Sequence, residues 1–269
     1  IPPWEILIDK NKLLGEGSFG KVYLAEWRKT DVAIKIANDK VEEELKSNYI
    51  NEFDTLSKAH HPNIVQLLGY VEDPFIIVME YLPNGNLHDY LRKNNLSVTS
   101  KIEICLNILR GLAYIHNRKP EIIIHRDIKT KNILISPSGF AKIGDFGISK
   151  FVKDSSLKNV NSLDNIIGEN SKEPYIFGTK RYMSPEILRL DDYGSKVDIW
   201  SLGIIFAELF EKKYYDDEFY WKNTPNDIKN IIITYMLREK DTDRLSSLEL
   251  IGQFEKIKNK KKECNCIIF

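Results

Sequence analysis

The first third of the chain alternates hydrophobic and polar positions in the manner of β-strands. Residues 21–27, 31–36 and 75–81 are short runs rich in β-branched and aromatic side chains, and this pattern predicts strands. Residues 41–59 carry large apolar side chains at a spacing near one helical turn, which predicts a helix. From Leu87 onward the pattern becomes helical. The sequence therefore predicts an α+β protein, with a small strand-rich part before a larger helical part.

A short segment of turn-forming residues, 82–86, separates the two parts. We expect one domain over residues 1–256, with an N-terminal lobe over about 1–81 and a C-terminal lobe over about 87–256. Residues 257–269 form a tail that is first basic, then cysteine-containing and finally apolar.

Composition narrows the class of protein without indicating a reaction. The 269 residues include 39 Lys and Arg against 39 Asp and Glu, and 42% are hydrophobic. Such values are ordinary for a soluble globular protein, and they exclude disorder and a general affinity for nucleic acid. Three cysteines are too few for a disulfide framework. Apolar stretches such as 202–210 are far shorter than a membrane span, and no signal pattern follows Ile1. We therefore expect a cytoplasmic protein with no nucleic-acid partner.

A glycine-rich motif lies near the N-terminus. Gly15, Gly17 and Gly20 have G-x-G-x-x-G spacing, and glycines leave backbone N–H groups accessible to a polyphosphate. In dinucleotide-binding proteins a helix follows such a loop directly, whereas here residues 21–27 alternate as a strand. We therefore expect a β-hairpin that covers phosphates, although the motif alone fits a flexible turn equally well.

Further motifs follow in chain order: Val-Ala-Ile-Lys at 32–35, His-Arg-Asp-Ile-Lys-Thr-Lys-Asn at 125–132, Asp-Phe-Gly at 145–147 and Ser-Pro-Glu at 184–186. In this order and approximate spacing, the sequence resembles the eukaryotic protein kinase family from about Leu14 to Arg244. The resemblance implies the two-lobed protein kinase fold, with one main helix in the small N-terminal lobe and a larger, mostly helical C-terminal lobe.

The resemblance also implies an enzyme that transfers the γ-phosphoryl group of Mg-ATP to protein substrates, with Mn²⁺ as a substitute metal. Lys35 would bind the α- and β-phosphates and needs an anionic partner from the first helix. The candidates for this partner are Glu42, Glu43, Glu44 and Glu52. Family spacing places the glutamate ten residues before the proline of His-Pro-Asn, here Pro62, and so selects Glu52.

The same resemblance assigns the remaining catalytic roles. Asp127 would orient the substrate hydroxyl and accept its proton, and Lys129 would contact the transferring phosphate. Asn132 and Asp145 would supply the hard oxygen ligands that Mg²⁺ prefers. A kinase-like scaffold without activity typically lacks one of the key residues, but Lys35, Asp127 and Asp145 are all present. This pattern favours an active enzyme.

The nucleotide pocket is likewise implied by resemblance. The apolar residues assigned to it are Leu14, Val22, Ala33 and Leu134. The backbone of Glu80 and Leu82 would form the hinge hydrogen bonds, and Met79 would close the rear of the pocket.

Other matched positions are expected to be structural. A column of packed side chains linking the lobes would consist of Leu56, Leu67, His125 and Phe146. Glu186 and Arg244 would form a buried ion pair, and Asp198 and Trp200 would lie in the core of a central helix.

The type of hydroxyl group that accepts phosphate, Ser/Thr or Tyr, is indicated by residues 125–132, which we call the catalytic segment. Tyrosine-specific members carry Ala-Ala-Arg between the catalytic aspartate and asparagine, whereas residues 128–131 here are Ile-Lys-Thr-Lys. Together with residues 178–186, this favours Ser/Thr specificity, with dual specificity as the alternative. Residues 61–69 and 80–87 resemble the tyrosine-kinase-like branch of the Ser/Thr group.

The activation segment, from 145 to 186, has 42 residues and is long for the family. Arg126 would bind a phosphate there through charge-assisted hydrogen bonds. The candidate acceptors are Ser155, Ser156, Ser162, Ser171 and Tyr175. Thr179 is expected instead to hydrogen-bond Asp127 and Lys129.

The last residues suggest a membrane partner. Cys266-Ile-Ile-Phe269 fits the C-a-a-X prenylation motif. Five lysines lie between Lys256 and Lys262, and a lipid plus a polybasic patch is a combination that gives stable anchoring. We therefore expect attachment to the cytoplasmic face of a membrane through Cys266 and these lysines, with Cys264 as a second lipid site. The alternative is an unmodified apolar tail.

Overall fold

The computed structural model describes residues 1–17, 20–36, 43–153, 179–211 and 221–266. The N-terminal lobe is a five-stranded antiparallel sheet, in the order β1-β2-β3-β5-β4, with one helix. Its elements are β1 Ile6–Gly17, β2 Gly20–Trp27, β3 Thr30–Ile36, α1 Glu43–Lys58, β4 Leu67–Val71 and β5 Ile76–Glu80. The predicted helix over 41–59 is thus confirmed as α1 within the described residues.

The register of β2, β3 and β5 sorts their side chains onto two faces. Val22 lies opposite Lys35, and Leu24 lies opposite Ala33, which in turn lies opposite Met79. Residues that are directly opposite one another project from the same face of a sheet. The other face forms the lobe's own core, from Ile6, Ala25, Val32, Ile34, Val71, Ile76 and Val78. Lys35 therefore lies on the face turned away from that core, as the alternation predicts.

The glycine-rich segment joins two paired strands. Gly17 lies opposite Gly20, and Gly15 lies opposite Val22, in the antiparallel pair formed by β1 and β2. This confirms the predicted hairpin and excludes the strand-to-helix turn of a dinucleotide site. Residues 18–19, between the last two glycines, lie outside the described residues.

The C-terminal lobe is mainly helical. Its helices are α2 Leu87–Lys93, α3 Val98–His116, α4 Pro185–Leu188, α5 Lys196–Glu211, α6 Asn226–Ile231 and α7 Ser247–Cys266, with a π-helical turn Ile232–Met236 after α6. Its strands are β6 Glu121–Ile124, β7 Ile133–Ile135, β8 Ala141–Ile143 and β9 Lys150–Lys153, paired as β6 with β9 and β7 with β8. Side chains cap the first two helices, since Asn86 accepts from the Asp89 N–H and Ser97 from the Ser100 N–H.

Helix α5 forms the centre of this lobe. Nearly all of its residues are buried, including the charged Asp198. A helix that is apolar all round belongs in a core, and α3 packs beside it with its predicted face buried.

Helix α7 packs along α3 through Leu250, Phe254 and Ile257. It runs on to Cys266, so the boundary predicted at residue 256 falls inside a continuous helix. Ile257 is buried one position past this boundary, which places the first part of the basic tail against the domain.

Candidate active site

Strand β3 and helix α1 bring a lysine and a glutamate together. Lys35 forms an ion pair with Glu52, and its Nζ lies 3.0 Å from Oδ1 of Asp145. Glu52 is thus the residue that pairs with Lys35, as predicted; Glu42 lies outside the described residues, and the side chains of Glu43 and Glu44 are not described.

Burial and the neighbouring charges shift the pKa values of Lys35 and Asp145. Burial alone would lower the pKa of Lys35, but the carboxylates of Glu52 and Asp145 raise it above its usual value. Burial would raise the pKa of Asp145, yet the adjacent Lys35 ammonium holds it below its usual value. The lysine is therefore a fixed cation and Asp145 a carboxylate at neutral pH.

The segment between β6 and β7 gathers three polar side chains. Asp127 Oδ2 accepts hydrogen bonds from Lys129 Nζ at 2.6 Å and from Asn132 Nδ2 at 2.9 Å. Asn132 Nδ2 also contacts the Asp127 carbonyl oxygen at 2.8 Å. Because the amide nitrogen of Asn132 is used in this way, its oxygen remains as a ligand for a cation.

These side chains suit a metal that is shared with phosphate. Asp145 and Asn132 offer hard oxygen atoms, which Mg²⁺ prefers. Within the described part of the chain, no cluster of three or more His, Cys, Asp or Glu side chains could hold a metal ion. A divalent cation here would thus need phosphate or water oxygens to complete its coordination shell.

Asp198, in helix α5, forms hydrogen bonds with the backbone of the catalytic segment. Its carboxylate accepts hydrogen bonds from the backbone N–H groups of His125 and Arg126, each at 2.8 Å, and from His116 Nε2 at 2.8 Å. Burial opposes ionisation, but His116 and these donors hold the pKa of Asp198 below its usual value. The sequence predicted only a core position for Asp198, so this positioning role was missed.

The residues predicted to link the lobes lie together. His125 and Phe146 have ring centroids 4.7 Å apart, and His125 Nε2 contacts the Gly144 carbonyl oxygen at 3.0 Å. Leu56 and Phe146 are fully buried in the large core, and Leu67 packs against it. The contact between His125 and Phe146 is therefore present, and Leu56 and Leu67 share the core that contains Phe146.

The residues assigned to the nucleotide pocket lie on the sheet face that carries Lys35 and on strand β7. Ala33 and Met79 are buried opposite each other, while Val22 and Leu134 are half-buried. Leu14 is exposed beside the hairpin. A Cβ added at Gly15 would meet no atom of the described residues within 4 Å, so this part of the structure leaves space beside the hairpin backbone for a ligand.

The two hinge residues lie at the end of β5 and just beyond it. The Glu80 carboxylate accepts from Lys142 Nζ at 2.6 and 2.9 Å and from the Gln66 N–H at 2.7 Å. Leu82 is buried, and its carbonyl oxygen accepts from the Gly85 N–H at 3.0 Å. Since the Glu80 side chain is committed within the protein, any contact of this residue with a nucleotide would come from its backbone.

Arg126 and Thr179 are the two residues that were predicted to act with the activation segment. Arg126 donates to the Ile148 carbonyl oxygen at 2.5 Å and to the Tyr193 hydroxyl at 3.1 Å. Thr179 is exposed, and the hydrogen bonds predicted from it to Asp127 and Lys129 are not present among the described residues. The candidate phosphorylation sites between 154 and 178 lie outside the described residues.

A buried ion pair supports the end of the activation segment. Arg244 Nη1 and Nη2 donate to the two carboxylate oxygens of Glu186 at 2.6 and 2.8 Å. The guanidinium also donates to three backbone carbonyl groups, and its side chain is fully buried. This confirms the predicted pairing.

Comparison with known families identifies the chain. The family model described as "Protein kinase domain" matches residues 8–264, which is nearly the whole chain. The chain therefore belongs to the protein kinase domain family.

Several curated proteins are similar to it. "Serine/threonine-protein kinase VIK" of Arabidopsis thaliana is 38% identical over 221 residues, covering 78% of this chain and 47% of that protein. "Serine/threonine-protein kinase 12" of the same plant is 34% identical over 78% of this chain and 44% of its own length. "LysM domain receptor-like kinase 3" of Medicago truncatula is 35% identical, over 74% of this chain and 30% of that protein. The chain thus spans less than half the length of each of these relatives.

Among the described residues, no helix is both long and apolar enough to cross a membrane.

Proposed function

We propose that this chain is an ATP-dependent protein serine/threonine kinase that acts in signal transduction. The observation that carries the proposal is the co-assembly of two charged groups, Lys35 with Glu52 and Asp145, and Asp127 with Lys129 and Asn132. Two Arabidopsis relatives named as serine/threonine-protein kinases support it.

Each residue has a role in phosphoryl transfer, which depends on positioning and charge neutralisation. Bound Mg-ATP supplies the transferable phosphoryl group and the divalent charge. Lys35, fixed by Glu52, binds phosphate oxygens as a cation. Asp145 and Asn132 hold the metal through oxygen atoms.

Asp127 orients the substrate hydroxyl and accepts its proton at a carboxylate oxygen. Lys129 lies within hydrogen-bond distance of that carboxylate, so its ammonium neutralises charge beside the acceptor and contacts the transferring phosphate. Hydrogen bonding to Lys129 and Asn132 also fixes the direction of the carboxylate, which limits the reorganisation needed during transfer.

The apolar residues of the nucleotide pocket enclose the base. Ala33 and Met79 lie on the sheet face above it and Leu134 below, with the backbone of Glu80 and Leu82 as hydrogen-bonding groups. Leu14, Val22 and the three glycines of the hairpin cover the ribose and phosphates.

We propose that the substrate residues are serine and threonine. The Ile-Lys-Thr-Lys sequence at 128–131 and the similarity of 61–69 and 80–87 to the tyrosine-kinase-like branch support it. A dual-specificity enzyme is the second candidate.

The experiment is transfer of labelled phosphate from Mg-ATP to an arrayed peptide library with Ser, Thr or Tyr acceptors. We expect labelling of Ser and Thr peptides by the wild type and a loss of at least about a hundredfold in Asp127→Asn, within the range of general base catalysis. Asp191→Asn is the matched control, because Asp191 is an exposed aspartate that pairs with Arg189 at the surface. Equal labelling by the wild type and Asp127→Asn would contradict the proposal, and nucleotide binding without transfer would indicate a scaffold.

We further propose that the chain attaches to the cytoplasmic face of a membrane. Support comes from the C-a-a-X match at Cys266 and from α7, which carries the basic residues. Lys256 and Lys260 are exposed, whereas Lys258 pairs with Glu103 of α3. The exposed lysines are therefore available to anionic headgroups, at about 1 kcal/mol each near a charged surface.

This attachment is tested by fractionating cells that express the wild type, Cys266→Ser and Cys264→Ser. We expect the wild type in the membrane fraction and Cys266→Ser in the soluble fraction, since stable anchoring takes two signals and this variant keeps only the lysines. An unchanged membrane fraction for Cys266→Ser would refute the anchor.

A further inference from the structure

Two hydroxyl groups meet between helix α1 and the segment that follows Asp145. Thr55 Oγ1 lies 3.0 Å from Ser149 Oγ, across 94 residues of sequence. Thr55 is fully buried and Ser149 is 4% exposed. A polar contact that is shielded from water in this way is costly to leave unmade, so it ties α1 to the segment.

Ser149 closes a tight turn beside the metal-binding carboxylate. Its backbone N–H donates to the carbonyl oxygen of Phe146 at 3.0 Å, and Phe146 directly follows Asp145. Arg126, from the catalytic segment, donates to the carbonyl oxygen of Ile148 in the same turn. The turn is therefore held from α1 on one side and from the catalytic segment on the other.

Thr55 lies three residues after Glu52, so both side chains occupy one face of α1. A second contact joins the C-terminal end of α1 to strand β9, because Lys58 Nζ lies 4.8 Å from the ring centroid of Phe151. Rotation of α1 about its axis would move Thr55 and Glu52 together. The hydroxyl contact and the ion pair with Lys35 are thus geometrically coupled.

We infer that the Thr55–Ser149 hydrogen bond is a positioning contact, which sets the rotation of α1 so that Glu52 meets Lys35 while Asp145 faces the same lysine. Thr55 and Ser149 act through these residues and do not touch substrate. The inference rests on the proposed phosphoryl transfer for its kinetic readout, but the contact itself can be tested without turnover.

The kinetic test compares Thr55→Val, Thr55→Ser, Ser149→Ala and the double variant Thr55→Val/Ser149→Ala. Valine keeps the shape of threonine and removes the hydroxyl, whereas serine keeps the hydroxyl. We expect kcat to fall about two- to tenfold in Thr55→Val, the factor that corresponds to one net hydrogen bond, with an unchanged KM for the peptide. We expect Thr55→Ser to retain wild-type kcat and the double variant to be no slower than the slower single variant.

Ser136→Ala is the matched control. Ser136 Oγ also contacts a second hydroxyl, that of Ser138, at 3.0 Å and is buried, but it lies in the turn between β7 and β8. A loss of stability without a loss of kcat is expected there. Equal losses of kcat in Ser136→Ala and Thr55→Val would overturn the inference.

Hydrogen exchange gives the readout that does not need turnover. We expect faster amide exchange in α1 and at residues 145–149 in Thr55→Val, and wild-type exchange in Thr55→Ser. Unchanged exchange in both segments, or additive kinetic effects in the double variant, would overturn the inference. If the wild type transfers no phosphate, the proposed function fails, and exchange in the same variants still decides whether the hydroxyl pair positions α1.

Discussion

Replacing Asp198 with asparagine is expected to destabilise the protein by about 3 kcal/mol, because a buried carboxylate loses charge-assisted hydrogen bonds. Oδ2 accepts from the His125 N–H and from His116 Nε2, and Oδ1 accepts from the Arg126 N–H. An asparagine has one acceptor oxygen, so its NH₂ group must face at least one of these donors. The substitution therefore removes one or more charge-assisted hydrogen bonds. It also places the NH₂ group of asparagine against at least one buried N–H donor.

The assay is urea unfolding of wild type and Asp198→Asn, followed by far-ultraviolet circular dichroism and analysed by linear extrapolation. Asp191→Asn is the control, and as a surface change it should lie within about 0.5 kcal/mol of the wild type. A loss below about 1 kcal/mol in Asp198→Asn would refute the argument that these bonds hold the catalytic segment.

The same carboxylate predicts a pH dependence. Its folded-state pKa lies below the ordinary value, so its contribution to stability is fully present above the unfolded pKa of about 3.9 and is lost as the pH falls through the folded pKa. We expect the stability difference between wild type and Asp198→Asn to be constant from pH 7 to about 5 and to shrink below about pH 4. Urea titrations at a series of pH values measure this difference, and a gap that stays constant into strong acid would contradict it.

Three further substitutions test the packing of the C-terminal lobe by urea unfolding. Glu186→Gln is expected to cost about 3 kcal/mol, because it leaves the buried guanidinium of Arg244 without its carboxylate while backbone carbonyls still accept from it; a neutral result would contradict an ion pair that stabilises the fold. Gly203→Ala is expected to cost about 1–3 kcal/mol by overpacking, since an added Cβ would lie 2.7 Å from Leu237 Cδ2. Gly252→Ala, in an exposed part of α7 where an added Cβ meets no atom within 4 Å in the part of the chain that the structure describes, should instead stabilise by about 0.4–1 kcal/mol. A loss of stability there would count against the packing argument.

Local patterns predicted the residues whose roles depend on short stretches of sequence. The alternation over residues 21–27 and the β-branched run over 31–36 correctly predicted β2 and β3, because a strand's period of two depends only on neighbouring residues. Glu52 was selected over the other glutamates by the family's spacing from Pro62, which the resemblance supplies. The pairing with Lys35 then followed from the family resemblance.

Contacts between distant segments were not predictable in this way. Thr55 and Ser149 are ordinary polar residues in sequence, and nothing in their own neighbours indicates that they meet. The attachment of the segment after residue 256 was not predictable either, because its run of lysines gives no sign of a packed helix. The ion pair of Lys258 with Glu103 and the burial of Ile257 attach that segment to α3 instead.

The role of Asp198 could have been predicted from its position in the sequence. It stands within a helix that is otherwise mostly apolar, and the resemblance correctly implied a core position there. A carboxylate in such a position is very costly unless it is paired or hydrogen-bonded. Burial of this carboxylate therefore requires hydrogen-bond donors, and these must come from another segment of the chain. The N–H groups of His125 and Arg126 meet that requirement, so the same carboxylate that the core must satisfy also fixes the segment that carries Asp127.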